Sequence, residues 1–360
     1  MLVNIAESPR VTLIVVALGR TLRLNECITS LVSHESRTSF SIVCVINPIS
    51  PISPIDPIDP QSAVDAEGLA LEAFDIQIVA PDVNLGWAGG LHAGRALAKS
   101  DLLVWVQDDM AVSDGWLDAL VAAADENPHV GAFGSSQVDQ QGTVSLYNAG
   151  RAVSADDFGQ WNSTDETAQG LPEGVTRFDW ITSKGLLTRS VAWDDVGGPD
   201  PALFPLNHVD KDYCTHLRVH GWAVALVPFA HIQHQGNQSS PGLLREFLPE
   251  LQQPRLAKRW AGPLEALSAT DARLVNHDCT RERAHDPERW VAREASRLVV
   301  SFARWAEARH REQQEELSRA VDALRHSRDE LSATRSTLSW KVTAPLRTVR
   351  RILGRRIGRS

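Results

Sequence analysis

Two adjacent acids, Asp108-Asp109, follow directly on the apolar run Asp101–Val106 (DLLVWV) and on Gln107. Carboxylates crowded at the end of a buried strand repel one another. A divalent cation relieves that repulsion, and Mg²⁺ or Mn²⁺ takes oxygen ligands while leaving positions open for phosphate oxygens. The pair would equally suit a helix N-terminus, where the macrodipole favours acids. A second candidate is the turn Asn84-Leu85-Gly86-Trp87-Ala88-Gly89-Gly90. Glycines there would let the backbone approach a ligand, and a following helix N-terminus favours phosphate. The turn is neither G-x-G-x-x-G nor G-x-x-x-x-G-K-[ST], so dinucleotide and P-loop readings fail. The third candidate is Asp210-Lys211-Asp212, ahead of Gly221-Trp222, His231 and His234. Asp210 could take a proton from a hydroxyl as a general base, or simply open a helix. Gln233 and Gly236 mark His234 as sitting on an accessible loop.

The elements that must carry these residues are legible from periodicity. Val11–Leu18 (VTLIVVAL) and Ser41–Ile46 (SIVCVI) are continuous β-branched runs, the mark of strands buried on both faces in a parallel sheet. Leu22–Ser33 has helical spacing between them, with Leu24, Ile28, Leu31 and Val32 on one face. The rhythm predicts a doubly wound α/β domain. Further helices are expected at Ala63–Phe74, Gly89–Lys99, Trp116–Ala124 and Val209–His220, the last ended by Gly221. Further strands are expected at Ile76–Ala80 and Ala223–Val227. Between Pro48 and Pro60 proline recurs every third residue, the polyproline II period, which suits a stiff surface loop or a docking segment.

Composition sets the outer limits. The 360 residues suggest about two domains, with apolar and charged fractions of 43% and 22% that exclude collagen-like or disordered chains. Net charge is −9, yet the last twenty residues hold seven Lys and Arg and no acid. An acidic body with a basic tail argues against nucleic acid and for an anionic partner of the tail. The four cysteines lie far apart, so a reducing compartment fits better than a disulfide framework. The N-terminus has no secretory h-region, and no run approaches ~20 apolar residues.

In chain order, these motifs resemble glycosyltransferase family 2, with its GT-A fold, and within it rhamnosyltransferase-like and galactofuranosyltransferase-like members. NLGWAGG resembles that family's N-x-G-[FW]-[AS]-G-G turn, VWVQDDM its metal-motif strand, and VGGPDPALF its GGFDExFF segment. HVDKDYCTHLRVHGWAVALVPFAHIQHQG resembles its E-D-x-D…G-W…V-P…H-x-G region. The chain departs from the pattern at Ile46, Gln107 and Val209, where the family carries acids, and at Ala17-Leu18-Gly19-Arg20. The resemblance implies an α/β, GT-A-type nucleotide-sugar-binding fold with a mainly parallel sheet over 1–242. It also implies metal-dependent, inverting transfer of a hexosyl group from a nucleotide-diphosphate sugar (dTDP-rhamnose or a UDP-sugar) to a bacterial surface glycan or lipid-linked glycan. Asp109 and His234 would hold Mg²⁺ or Mn²⁺, and Asp210 would be the base. Asn84, Gly86, Trp87, Gly89, Gly90 and Asp108 would contact the donor, and Trp180 and Asp212 the acceptor. The competing reading is a catalytically silent scaffold of the same fold.

Beyond residue 242 the chain turns helical and charged: an extension over 243–304, then 305–340, then a basic tail over 341–360. Leu317, Leu324, Leu331 and Leu338 recur every seven residues. Residues 310–338 therefore read either as a coiled coil pairing copies of the chain or as a long helix lying on the body. The tail alternates apolar residues with arginine as an amphipathic helix does, which suits an anionic membrane surface and a peripheral cytoplasmic location.

Overall fold

In the computed structural model, which describes residues 9–19, 21–49, 76–139, 143–145, 149–150, 173–234, 242–269 and 286–336, the first apolar run forms β1 (Val11–Leu18). Its side chains alternate between two cores. Val11, Leu13, Val15 and Ala17 face one, Ile14 and Val16 the other, as strand geometry requires. The sequence element α1 (Leu22–Ser33) is capped by Thr21, whose Oγ1 accepts the Leu24 amide at 3.2 Å. It buries Leu24, Cys27, Ile28 and Leu31 in the first core beside α3 (Trp116–Glu126). The second core receives α2 (Gly86–Arg95), α4 (Ser190–Val196), α5 (Val209–Val219) and part of α6 (Gly242–Ala269). The unit Met1–Val299 is thus a sheet covered by helices on both faces.

Among the described residues the main sheet has ten strands, with the path β3-β2-β1-β4-β11-β6-β12-β5. Here β2 is Phe40–Asn47, β3 Ile76–Val79, β4 Leu102–Gln107, β5 Met110–Val112 and β6 Val130–Val138. Two short strands follow, β7 (Val144–Ser145) and β8 (Ala149–Gly150), then β9 (Thr176–Phe178), β10 (Trp180–Ile181), β11 (Leu186–Arg189) and β12 (Ala223–His234). The first four strands of the path are parallel, as expected. β11 then runs antiparallel to β4, Leu186 opposite Trp105, so the turn leading into β11 lies at the carboxyl end of β4. β12 is parallel to β6 and antiparallel to β5, placing His234 opposite Met110.

Two expected boundaries move. The helix expected at Gly89–Lys99 begins at Gly86 and ends at Arg95. Gly86 has φ +64°, and the Asn84 side chain accepts its amide at 2.8 Å, so the chain turns into the helix three residues earlier. The strand expected at Ala223–Val227 continues to His234, because a register shift between Val227 and His231 absorbs Pro228 and pairing then resumes. The Pro-rich segment beyond Ile49 and the helix expected at Ala63–Phe74 lie outside the described residues. Helix α7 (Pro287–Ser336) runs through residues 304 and 305 without a break. In the second compact unit, Val300–Ser360, Leu317 and Leu324 are 64% and 71% exposed.

His92 of α2 is buried, its Nε2 2.7 Å from the Pro199 carbonyl and its ring edge-on to Trp193. Burial pushes its pKa down from 6.5 to about 4, against the pull of that carbonyl. The unfolded chain therefore takes up a proton near pH 6.5 that the folded chain refuses until about pH 4. Stability from His92 is present above that window and lost across it as pH falls. We expect His92→Gln to flatten the pH dependence of urea unfolding between pH 6.5 and 4 by about 1.4 kcal/mol per pH unit. An unchanged slope would refute the assignment.

Candidate active site

The parallel strands end at one rim of the sheet, and chemistry gathers there. Asp109 follows β4, and its Oδ1 lies 3.1 Å from His234 Nε2 at the end of β12, with both side chains buried (5% and 6% exposed). The residues are 125 apart in sequence and meet because β5 returns antiparallel to β12 directly after Asp109. His234 is therefore a buried strand residue and not part of an accessible loop. The same Nε2 lies 2.8 Å from Gln107 Oε1, and Gln107 Nε2 donates to Ser183 Oγ at 3.1 Å. The Ser183 amide in turn donates to Asp210 Oδ2 at 3.0 Å, and the Lys211 amide to Asp210 Oδ1 at 2.9 Å. One hydrogen-bonded run thus joins His234, Gln107, Ser183 and Asp210, with Asp109 in contact with His234 at its end. Gln107 suits its place in the run because an amide accepts at one end and donates at the other.

Asp108 points the other way. It is buried, bonded to the Leu18 amide at the end of β1, and its pKa is raised to about 6. Burial contributes most, then the charge of Asp109, with Arg23 opposing. Val209 and Ile46, where the family pattern carries acids, are core residues on opposite faces of the sheet.

The Gly-rich turn is built for packing. Asn47, at the end of β2, accepts the Leu85 amide at 2.9 Å and donates to the Gly86 carbonyl at 3.3 Å. The Trp87 amide donates to the Pro205 carbonyl at 2.7 Å. A Cβ at Gly90 would lie 2.6 Å from Val16 Cγ1, and one at Gly94 2.3 Å from Ile14 Cγ2, so glycine lets α2 seat on β1. The amides of Leu85, Gly86 and Trp87 are therefore already paired within the fold. Gly89 packs on Leu85 and Val291.

Asp212, expected at the acceptor, is placed elsewhere. It is 1% exposed and accepts from Arg259 Nη1 and Trp260 Nε1 at 2.8 Å each. Arg259 also bonds Asp200, so α6 clamps the start of α5 to the Gly-Gly-Pro-Asp segment. Trp180 is 4% exposed, with Lys211 Nζ 4.5 Å from its ring centre. Lys211, Lys184 and His208 surround Asp210. Burial is the main cause lowering the pKa of all three, that of His208 to about 4.

The sequence reading missed Ser183, Lys184 and Arg259, and met Gln107 and Asn47 only as departures or neighbours. Ser183 and Lys184 sit just before Gly185 (φ +64°), a turn signal at a strand start that could have drawn notice. Arg259 lies in a charged helical stretch and carries no local signal.

A family model described as "Glycosyltransferase like family 2" matches residues 9–248. The chain is 26% identical over 189 residues to the N-acetylglucosaminyl-diphospho-decaprenol L-rhamnosyltransferase of Mycobacterium tuberculosis, in both strain CDC 1551 / Oshkosh and strain ATCC 25618 / H37Rv. The match covers 46% of this chain, and the chain spans 61% of the length of those relatives. Among solved structures, GalNAc-T7 with UDP, GalNAc and Mn²⁺ superposes with a TM-score of 0.52 at 14% identity, over 82% of this chain and 58% of that one. The mannosyltransferase PcManGT from Pyrobaculum calidifontis with GDP-Man and Mn²⁺ gives 0.48 at 14% identity, over 84% and 81%. The α/β fold with its largely parallel sheet is the GT-A arrangement the motifs imply.

Proposed function

Because the chain belongs to glycosyltransferase-like family 2, we propose that it is an inverting glycosyltransferase. It moves a hexosyl group from a nucleotide-diphosphate sugar to a hydroxyl of a growing surface glycan. The N-acetylglucosaminyl-diphospho-decaprenol L-rhamnosyltransferase relatives support a rhamnosyl donor, which we take to be dTDP-rhamnose, and a lipid-linked glycan as acceptor. The observation that carries the reading is the Asp109–His234 contact and the hydrogen-bonded run that leads from His234 through Gln107 and Ser183 to Asp210.

Asp109 and His234 fit a divalent cation. Asp109 Oδ1 and His234 Nε2, 3.1 Å apart, are an oxygen and nitrogen donor pair that would hold the ion in place of the proton Nε2 shares with Gln107 Oε1. An oxygen and nitrogen donor pair suits Mn²⁺ or Mg²⁺. Among the described residues no group of three or more His, Cys, Asp or Glu that could hold a metal ion is formed, so these two residues are the whole of the protein's proposed donor set there. When bound, the ion supplies positive charge that stabilises the departing nucleoside diphosphate. Asp210, held through both oxygens by backbone amides, takes the proton of the attacking hydroxyl. Attack from the face opposite the leaving group inverts the anomeric centre. Trp180 and Lys211 form a wall next to Asp210 on the acceptor side, and Asp212 fixes α5 from beneath. Asp108, facing β1, and the Asn84–Gly90 turn set the donor side.

No helix among the described residues is long and apolar enough to cross a membrane. The tail 341–360 lies outside the described residues. Its seven basic residues and lack of acids support docking on an anionic membrane surface, where lipid-linked acceptors are displayed.

A thermal-shift series with UDP-, dTDP- and GDP-sugars, with and without Mn²⁺, tests the reading together with product detection. A donor at 100 times its Kd should add about 2.7 kcal/mol of stability and raise Tm by roughly 5–10 °C. Asp109→Ala should abolish the Mn²⁺-dependent part. No shift and no product with any donor would leave the scaffold reading.

A further inference from the structure

We propose that Lys184 is a specificity-determining residue that grips a phosphate group of the substrate. The inference deepens the glycosyltransferase reading and rests on it. Lys184 occupies the turn between β10 and β11, and both neighbours pin it. The Ser183 amide is tied to Asp210, and the Gly185 amide donates to the Trp105 carbonyl on β4 at 3.1 Å. The side chain is thereby fixed at the strand-end rim, between the base and the end of β4.

Its ammonium donates to Gln137 Oε1 at 3.2 Å. Gln137 stands opposite Ile232 on β12, two residues before His234, so the ammonium is held next to the Asp109–His234 pair. Asp210 and Asp109 both pull on its charge, Asp210 more strongly, while burial opposes both. The ammonium therefore lies within electrostatic reach of the base on one side and the proposed metal acid on the other.

What makes this lysine unusual is its partner. Among the described residues it forms no ion pair with a carboxylate, and its hydrogen bond goes to a neutral amide. A partly buried cation paired only with an amide is an incomplete arrangement, because withdrawal from water costs free energy that an anion would offset. The neighbouring cations are differently engaged: Lys211 lies over the Trp180 ring, and Arg23 acts on Asp108. Gln107 strengthens the argument. An acid in its place would add negative charge at this rim and repel an incoming anion, and the amide adds none. Lysine binds phosphate as a compact point charge and does not need a planar fork. The phosphate can come from the donor's diphosphate or from a phosphate joining the acceptor to its carrier.

The test uses the full-length protein, wild type, Lys184→Gln, Lys184→Arg and Gln137→Leu, each with its melting temperature recorded. Lys184→Gln removes the charge and leaves a shorter, neutral donor on the side of Gln137. Without metal, binding of inorganic pyrophosphate, UDP, dTDP and GDP is measured by titration calorimetry at low salt. Lys184→Gln should weaken binding about tenfold or more, the scale of a charge-assisted hydrogen bond, whereas Lys184→Arg stays close to wild type. Gln137→Leu frees the ammonium and should leave binding intact. Unchanged binding with a raised KM for a phosphate-bearing acceptor, and not for a phosphate-free one, assigns the lysine to the acceptor. Unchanged binding with both KM values unchanged overturns the proposal, as does equal loss in Lys184→Gln and Gln137→Leu, even where Lys184→Gln folds poorly. Wild-type protein that binds no diphosphate and transfers no sugar overturns the glycosyltransferase reading, and this proposal with it.

Discussion

Replacing Asp210 by Asn is expected to lower kcat by about 10²- to 10⁴-fold, the usual contribution of a positioned general base. The substitution is close to isosteric, yet it removes the only property the proposed step requires, a carboxylate able to take a proton. Asn presents one acceptor where Asp presents two, and both Asp210 oxygens are in use, by the Ser183 and Lys211 amides. One amide would lose its partner, at a cost of about 1–3 kcal/mol. The loss of rate must therefore be separated from the loss of structure. Ser183→Ala keeps the backbone donor to Asp210 and removes only the hydroxyl that receives Gln107, so it reports on the run without touching the base. Steady-state assays should show kcat falling in Asp210→Asn with donor KM little changed. A fall of less than tenfold would place the base elsewhere.

Removing the guanidinium of Arg259 is expected to be strongly destabilising to the unit Met1–Val299. In Arg259→Leu, Asp200 and Asp212, each 1% exposed, would face each other without their shared cation. Burial already raises the pKa of Asp212, and Arg259 is the main influence opposing that rise. Breaking a buried pair by deleting one partner typically costs about 3–5 kcal/mol, and chemical denaturation should find a loss of that size. The direction with pH is also determined. In the variant Asp212 would lose the main influence opposing the rise of its pKa, so the lost stability returns as pH falls and that carboxyl becomes neutral. Adding Asp200→Asn and Asp212→Asn should restore part of it at neutral pH. A loss below about 1 kcal/mol would show that α6 does not clamp α5 through this cluster.

The Arg259 cluster also shows where reading the chain stops. Asp212 lies two residues after Asp210 in a helix, and the family resemblance put both near the acceptor. Residues i and i+2 do not share a helix face, so one carboxylate reaches the rim and the other the underside against α6. The register of α5 decides which, and that register is set by Tyr213, Cys214 and Leu217 packing into the second core.

Local patterning was enough for the strands and helices that frame the site, since apolar runs, Gly221 after α5 and the cap at Thr21 act over a few residues. It was enough, too, for the order of motifs and for Asp109, His234 and Asp210 as candidates. It placed His234 in a loop on the strength of Gln233 and Gly236, whereas pairing with β5 and β6 resumes beyond the register shift. It read the glycines after Asn84 as room for a ligand, whereas Val16 and Ile14 stand where their side chains would be.

From the order of residues alone came the α/β class, through short-range periodicity, and, through the resemblance of its ordered motifs, the family and the three groups that could perform the chemistry. Only the folded chain decided that Gln107 and Ser183 join those groups, that Lys184 faces two of them, and that Arg259 holds the base's helix from below. Each of those contacts closes a loop of dozens of residues, and which polar groups meet across such distances is settled by strand order and helix register, not by any local signal.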